Sequence, residues 1–431
     1  MATDSTPTKL TLRAYQVGFG DCFLLTFHYP SKDRHVLIDF GSTGVPTGSD
    51  PKLMLHVAED IEKECGGKLD AVVATHRHKD HISGFTTSKG KGSGDIIARC
   101  KPDVVIQPWT EDPKAKPDAE DSTTVSADVK HFTASLQSMH EVAAAVLVET
   151  RAMQRQNFNT KLLGQLSFLG DDNLTNLSAI ENLMQMGKKN FYVHFGTKSG
   201  LESVLPGVKI HVLGPPSLKQ SKAIRTERSE DADEFWQFQA FAGLQANIKG
   251  GSLFPRARSV SGNQTAPDAR WFVRQLRKIR GEQLLGLVRT LDQAMNNTSV
   301  ILLFEIGTRK FLFSGDAQIE NWSFALKQAE DDKDLMGLLK NVNLYKVGHH
   351  GSRNATPRTL WNLFANRSKT QSAKRLQTVV STMAGKHGHA DSGTEVPRAT
   401  LVKALKTEST YFSTQELKGK TTIRKDVEID L

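Results

Sequence analysis

Residues 71–85 read AVVATHRHKDHISGF, the stretch around which the predicted fold is organised. Its apolar start, residues 71–74, predicts a buried strand. Where that strand should end, four metal-binding side-chain types fall within six positions: His76, His78, Asp80 and His81. Imidazole nitrogen and carboxylate oxygen suit zinc and its neighbours, and a tight loop can turn several such groups towards one point. The stretch therefore predicts a metal site on a loop at a sheet edge, in preference to a solvated polar loop.

The pattern His76-x-His78-x-Asp80-His81 resembles the HxHxDH motif of the metallo-β-lactamase superfamily. The resemblance implies an α/β fold of metallo-β-lactamase type, a four-layer αββα sandwich, which here carries a helical insertion. In that fold the active site lies on the shared edge of two sheets. Further ligands should therefore follow at later strand ends.

Two later stretches provide side chains of these types. Asp316 follows a predicted strand within SGDA, and in the resemblance it is the carboxylate that bridges two metals. NLYKVGHHGS, residues 343–352, is similar to the HHGS element of the competence-protein branch of soluble hydrolase domains. In that branch one histidine completes the second metal site and its neighbour faces the substrate. The sequence does not decide between His349 and His350, and we favour His349 as the ligand.

Two earlier elements also match the family. VGFGD, residues 17–21, is similar to a VGxGD element of the competence-protein branch, although alone it indicates only a glycine turn within a β-hairpin. Asp39 ends the next predicted strand, residues 35–40, and matches the family's early aspartate motif. Its implied role is to hold the ligand loop through hydrogen bonds.

The superfamily often provides a further metal-binding histidine between residues 191 and 216. His194 and His211 lie there, but each falls within an alternating strand pattern that lacks a glycine-rich loop. We therefore predict a structural role for both. This departure is shared with the competence-protein branch and puts in doubt the occupancy of the first metal position.

Composition divides the chain into five segments. Residues 1–121 and 293–431 carry the two halves of the predicted sandwich, and residues 191–218 add strands to it. Residues 122–190 have helical periodicity, which predicts the helical insertion. Residues 219–292 predict a basic and partly flexible insertion.

Length and composition set further bounds. The 431 residues, 38% of them hydrophobic, can bury a substantial core. Three scattered cysteines are too few for a disulfide framework. The chain opens without a secretory leader pattern, and no apolar run approaches the roughly 20 residues needed to span a bilayer. We therefore expect a cytoplasmic protein with no membrane partner, of an oligomeric state that the sequence does not indicate.

The resemblance also implies a mechanism. It implies two divalent metal ions, zinc or manganese, held by one set of side chains: His76, His78, Asp80, His81, Asp316 and His349. Asp80 would also orient the attacking water, and His350 would stabilise charge on the substrate or protonate the leaving oxygen. A late glycine- and histidine-rich loop carries His387 and His389, which either overlook the site as substrate-binding residues or belong to a solvated turn.

The charge indicates the substrate class. A net charge of +9 and a pI near 9.3 favour an anionic partner, although a moderately basic protein without such a partner has the same charge. Among the superfamily's substrates an anionic phosphodiester fits best, so we expect a phosphodiesterase or nuclease acting on a nucleic acid or nucleotide. Two alternatives remain open: a hydrolase of a non-phosphate ester, lactone or lactam, and a catalytically silent binding module of the same fold.

The basic insertion generates a prediction. On a helix Arg270, Arg274 and Arg277 recur at intervals of four and three residues, so they would form one charged stripe that could bind substrate. If the substrate is a nucleic acid, reversing Arg274 and Arg277 to Glu should weaken binding of long strands and lower the salt dependence by about two charges. Cleavage of a small chromogenic phosphodiester should not change. Salt series with long and short ligands measure this, and equal slopes in both proteins would assign the stripe to a solvated face.

Overall fold

A computed structural model gives the structure of the chain. It describes residues 6–112, 176–221, 295–352, 356–388, 395–417 and 422–431. The predictions for the two insertions, residues 122–190 and 219–292, fall outside these ranges except at residues 176–190 and 219–221.

Thirteen strands are described, including those predicted at residues 35–40 and 71–74. They are β1 (Lys9–Tyr15), β2 (Cys22–His28), β3 (Arg34–Phe40), β4 (Ala71–Val73), β5 (Val104–Pro108), β6 (Lys189–Val193), β7 (Lys209–Gly214), β8 (Ile301–Ile306), β9 (Arg309–Phe313), β10 (Leu344–Lys346), β11 (Gln377–Val380), β12 (Thr410–Ser413) and β13 (Arg424–Asp430). The predicted hairpin of β1 and β2 is confirmed, because the two strands pair antiparallel.

The described helices are short. They are α1 (Leu53–Glu64), α2 (Lys79–Ile82), α3 (Ser93–Arg99), α4 (Leu177–Met186), α5 (Ile319–Asp331), α6 (Lys333–Lys340), α7 (Arg358–Leu363) and α8 (Ala399–Glu408). In α1, Leu53, Val57 and Ile61 recur at helical spacing and are buried on one face. The α6 helix begins at Asp332, whose carboxylate accepts hydrogen bonds from two backbone N–H groups of the first turn. Within the described ranges, every helix is too short or too polar to cross a membrane.

The described strands form two mixed sheets, so the fold is α/β. The first sheet has the order β13-β1-β2-β3-β4-β5-β6, and the second has the order β12-β11-β10-β9-β8-β7. In the first sheet β3 to β6 run parallel, and in the second β9 to β12 do. Each sheet therefore joins antiparallel strands to a set of parallel strands.

Apolar side chains on the strands pack on both faces of each sheet. Both sheets belong to one compact unit, and one buried cluster contains residues of both. There the rings of Phe23 and Phe313 lie 6.4 Å apart, and those of Phe27 and Phe304 lie 5.9 Å apart. A second cluster joins the first sheet to α1, α3 and α4, and a third joins the second sheet to α5 to α8. This packing is compatible with an α/β sandwich.

The carboxyl ends of parallel strands meet at one edge of each sheet, where functional groups of α/β proteins often gather. In the first sheet Asp39 lies near the end of β3, and His76 to His81 follow β4. In the second sheet Asp316 follows β9, and the two histidines at 349 and 350 follow β10. Chain topology therefore brings the predicted ligands to the carboxyl ends of parallel strands in both sheets.

The strand β13 pairs with β1 and forms one edge of the first sheet. Arg13, which is almost fully buried, donates to both carboxylate oxygens of Asp426, at 2.7 and 2.8 Å. Lys9 pairs with Glu428 at 2.8 Å on the same two strands, but both side chains are largely exposed. The two pairs therefore differ in burial more than in distance.

We predict that Asp426→Asn lowers the free energy of unfolding by about 1 kcal/mol at neutral pH. This is the usual contribution of a hydrogen bond to a charged group, reduced here because the carboxylate is partly exposed. Glu428→Gln is the matched control and should change little. The hydrogen bond from Arg13 lowers the pKa of Asp426, so its contribution is present above the ordinary carboxyl pKa of about 4 and is lost as the pH falls below it. Urea unfolding at pH 7 and pH 3 measures both effects, and an equal loss in the two variants would contradict them.

Candidate metal centre

The loop after β4 turns immediately into α2, a single turn that carries Asp80 and His81. It is held close to the loop after β3. A side chain at Gly41 would place its Cβ 2.4 Å from the backbone of both Asp80 and His81, so only glycine allows this approach. The two loops therefore form one packed surface.

Asp39 orients the imidazole of His81 through a contact with Nδ1. Its backbone φ of 54° lies in the left-handed region, which is uncommon for a residue other than glycine. Its carboxylate accepts hydrogen bonds from the Thr75 N–H at 2.7 Å and the Thr75 hydroxyl at 2.8 Å, and lies 2.7 Å from Nδ1 of His81. Because Nδ1 is engaged there, Nε2 of His81 is the nitrogen available to a metal ion.

The turn after β10 separates two adjacent histidines. His349 and His350 have φ of 42° and 52°, so two successive residues adopt the left-handed conformation. His350 is fully buried and its Nδ1 donates to the carbonyl oxygen of Ser381 at 2.9 Å, whereas the side chain of His349 is 28% exposed. The turn thus directs the second histidine inward and leaves the first at the surface.

Four side chains converge at this point. Asp80, His81, Asp316 and His350 each offer a ligand atom within 4.8 Å of the others. Nε2 of His81 lies 3.1 Å from Oδ2 of Asp316, and Nε2 of His350 lies 3.0 Å from Oδ2 of Asp80. Half of the group comes from the first sheet and half from the second. The group therefore joins the two sheets at their shared edge.

Unsatisfied atoms in this group fit a cation. Within the described part of the chain, Oδ1 of Asp80 and Nε2 of His81 are buried and make no hydrogen bond. Burying polar atoms without a partner is costly, and two imidazoles with two carboxylates form a donor set suited to a divalent metal of the zinc type. The residues present therefore fit a metal ion.

His76 and His78 lie beside this group without joining it. Nε2 of His76 is 3.0 Å from Nδ1 of His78, which in turn is 3.1 Å from the amide oxygen of Asn296. Among the described residues, neither histidine belongs to a group of three or more acidic, cysteine or histidine side chains with ligand atoms within 4.8 Å. Sequence reasoning missed Asn296, because a lone asparagine before a strand carries no recognisable pattern.

The geometry reverses our choice between the two histidines of the HHGS stretch. His349 lies at the rim, with Nε2 3.9 Å from Oδ2 of Asp316 and Nδ1 3.0 Å from the hydroxyl of Ser352. His350, which we expected to face the substrate, instead belongs to the group of four converging side chains. The physical reason is the left-handed turn, which places the second side chain inside.

The other predicted residues are placed as follows. The rings of His387 and His350 each lie 4.3 Å from the ring of Phe19, so His387 contacts a side chain that also contacts the group. His389, Arg274 and Arg277 lie outside the described residues. His211 pairs with Glu305 at 3.0 Å, and Nδ1 of His194 lies 3.1 Å from a backbone carbonyl oxygen.

Burial and neighbouring charges set the protonation of the group. Burial alone would raise the pKa of Asp316, but His81 and His350 hold it well below its usual range. Burial also opposes the ionised form of Asp80, yet His81 and His350 lower its pKa as well. Burial, together with His81 and His78, lowers the pKa of His76, so its imidazole is neutral. The carboxylates are therefore in the form that binds a metal ion, whereas His81 and His350, whose pKa Asp316 raises against the effect of burial, would each have to release a proton on binding one.

Comparison with known proteins adds no family: no family model and no curated protein matches this chain. A function can therefore be inferred only from the sequence motifs and from the convergence of Asp80, His81, Asp316 and His350.

We predict that His350→Ala weakens zinc affinity strongly, because it removes one of the four candidate donors. The loss should exceed the roughly 10- to 100-fold that follows when a residue hydrogen-bonded to a metal ligand is removed. His349→Ala should bind zinc as tightly as His194→Ala and His211→Ala, the matched controls. Competition with a chromophoric chelator measures the affinities. A larger loss in His349→Ala than in His350→Ala would restore the choice made from sequence.

Proposed function

We propose that this protein is a metal-dependent hydrolase of the metallo-β-lactamase superfamily, similar to the competence-protein branch and built on its four-layer αββα sandwich. We further propose that it is a phosphodiesterase or nuclease. One observation carries the proposal: Asp80 and His81 of HxHxDH, Asp316 of SGD and His350 of HHGS, far apart in sequence, have ligand atoms within 4.8 Å of one another where the two sheets meet.

A divalent metal ion, zinc or manganese, would be held by Asp80, His81, Asp316 and His350. His76 and His78, with Asn296 beside them, are the residues for a second ion. Such ions supply Lewis-acid polarisation of the phosphoryl group and lower the pKa of the attacking water.

The chain's own residues have distinct roles in this proposal. Asp80 is the residue that orients the attacking water, since its Oδ1 is left unpaired while its Oδ2 lies against His350. His349 is partly exposed on the same edge, 3.9 Å from Asp316, and can therefore donate a hydrogen bond to a substrate oxygen, since burial lowers its pKa and favours the neutral imidazole. Phe19 and His387 form the adjacent wall, where His387 would contact the substrate.

The substrate class follows from charge. The chain carries a net charge of +9, which concentrates anions near its surface. A phosphodiester also offers anionic oxygens to a metal ion and to the histidines at positions 349 and 387, whereas a lactam or lactone is neutral. These features support a nucleic acid or nucleotide substrate over a neutral ester.

We predict that Asp80→Ala lowers metal-dependent turnover of bis(4-nitrophenyl) phosphate by at least about 10²- to 10⁴-fold, the range of a lost proton-transfer group, with further loss from the missing ligand. The fold should persist, because Asp80 lies in the single-turn helix α2 rather than in a sheet. Asp33→Ala is the matched control, since this exposed carboxylate lies in the β2–β3 turn and pairs with His28 at 3.0 Å. Equal activity of Asp80→Ala and the parent protein would contradict the proposed mechanism.

The same preparation separates the alternative functions. Faster turnover of nitrocefin or a lactone than of the phosphodiester would identify a non-phosphate hydrolase. A purified protein that binds neither zinc nor manganese in stoichiometric amount would be a silent binding module. Metal content is measured on the purified protein, and turnover is measured on the same preparation after incubation with zinc or manganese.

A further inference from the structure

Lys346 is a lysine buried inside the fold. It is the last residue of β10 in the second sheet and is 1% exposed. Its Nζ contacts the carboxylate of Asp21, donates to the carbonyl oxygen of Gly315 at 3.2 Å, and lies 3.8 Å from Oδ1 of Asp316. An ammonium group is seldom buried unless it is paired, so this placement calls for a physical reason.

Asp21 is the partner from the other sheet. It lies in the turn between β1 and β2, is fully buried, and its backbone N–H donates to the carbonyl oxygen of Asp80 at 2.9 Å. Its carboxylate lies 3.7 Å from Nδ1 of His81 and 3.6 Å from Nδ1 of His350. Asp21 therefore lies next to Nδ1 of both candidate imidazole ligands, on the side away from the proposed metal ion.

The ion pair thus connects the two halves of the candidate metal group. Asp80 and His81 follow a strand of the first sheet, whereas Asp316 and His350 follow strands of the second. Lys346 contacts Asp21 and approaches Asp316, so one ammonium group links a carboxylate from each sheet. The hydroxyl of Ser381, whose carbonyl oxygen holds His350, donates to the carbonyl oxygen of Gly20 at 2.6 Å across the same junction.

We infer that Lys346 and Asp21 are positioning residues, an ion pair between the sheets that holds His81, His350 and Asp316 at the separation a metal ion requires. The inference rests on the proposed metal site. A buried ion pair contributes little net stability compared with apolar side chains of similar volume, because both charges lose their water. What this pair adds is a fixed position for the groups that it touches. Residues that contact metal ligands from the side away from the metal ion fix the orientation of those ligands.

The test compares metal binding with folding in the full chain. Lys346→Met should fold but bind zinc about 10- to 100-fold more weakly, and its visible cobalt spectrum should change because the ligands are no longer held in place. Lys310→Met is the matched control. Lys310 is also a mostly buried lysine of the second sheet, but it approaches Glu305, a strand residue outside the candidate metal group. Its zinc affinity and cobalt spectrum should equal those of the parent protein.

The double variant Asp21→Asn/Lys346→Met separates positioning from charge balance. It removes both buried charges together, so it should recover any stability that the single variant loses, measured by circular dichroism and urea unfolding. Its zinc affinity should nevertheless stay about 10- to 100-fold below that of the parent protein. If Lys346→Met fails to fold, the double variant carries the test alone.

Two results overturn the inference. Parental zinc affinity in Lys346→Met shows that the pair does not position the ligands, and parental affinity restored in the double variant shows that it serves only to balance charge. Both leave the proposed metal site intact. A parent protein that binds neither zinc nor cobalt overturns the proposed function itself, and the inference with it.

Discussion

Four carboxylates lie buried beside one another where the two sheets meet: Asp21, Asp39, Asp80 and Asp316. Like charges removed from water repel strongly, so the fold requires compensating positive charge at this place. Lys346 supplies part of it, and burial fails to neutralise this lysine because Asp21 and Asp316 raise its pKa. His81 supplies another part, since Asp316 and Asp39 raise its pKa against the effect of burial. The proposed affinity for a cation would therefore depend on the charges of the whole junction and not only on the four candidate ligands.

Backbone strain is concentrated at the same place. Asp39, His349 and His350 all occupy the left-handed region without being glycine. Such conformations persist only where the surroundings hold them, and here the hydrogen bonds of Asp39 to Thr75 and of His350 to Ser381 do so. The consequence is rigidity in the side chains that would have to meet a metal ion without rearranging.

Sequence patterns predicted the parts of the fold that depend on local periodicity. The strands β1 to β5 stand out as short runs rich in apolar residues and buried along nearly their whole length, and α1 stands out because its apolar residues recur at the spacing of one buried helix face. The strand β13, with the sequence RKDVEID, went unrecognised because charged residues dominate this edge strand. Within the candidate site, clustered histidines made the loop after β4 conspicuous. Asp21 and Lys346 lie within VGFGD and NLYKVGHHGS but received no role of their own, and Asn296 was missed, since the importance of all three arises from contacts between residues distant in sequence. No local pattern separates an inward from an outward histidine.

The pairing of β1 with β13 has a consequence for how the chain is made. Arg13 and its partner Asp426 are separated by 413 positions, so nearly all of the polypeptide is translated between one strand and the other. Until then the outer edge of β1 presents unpaired backbone groups beside apolar side chains, a surface that recruits other extended chains. Chains that lack β13 would therefore be prone to aggregate through this exposed edge of β1.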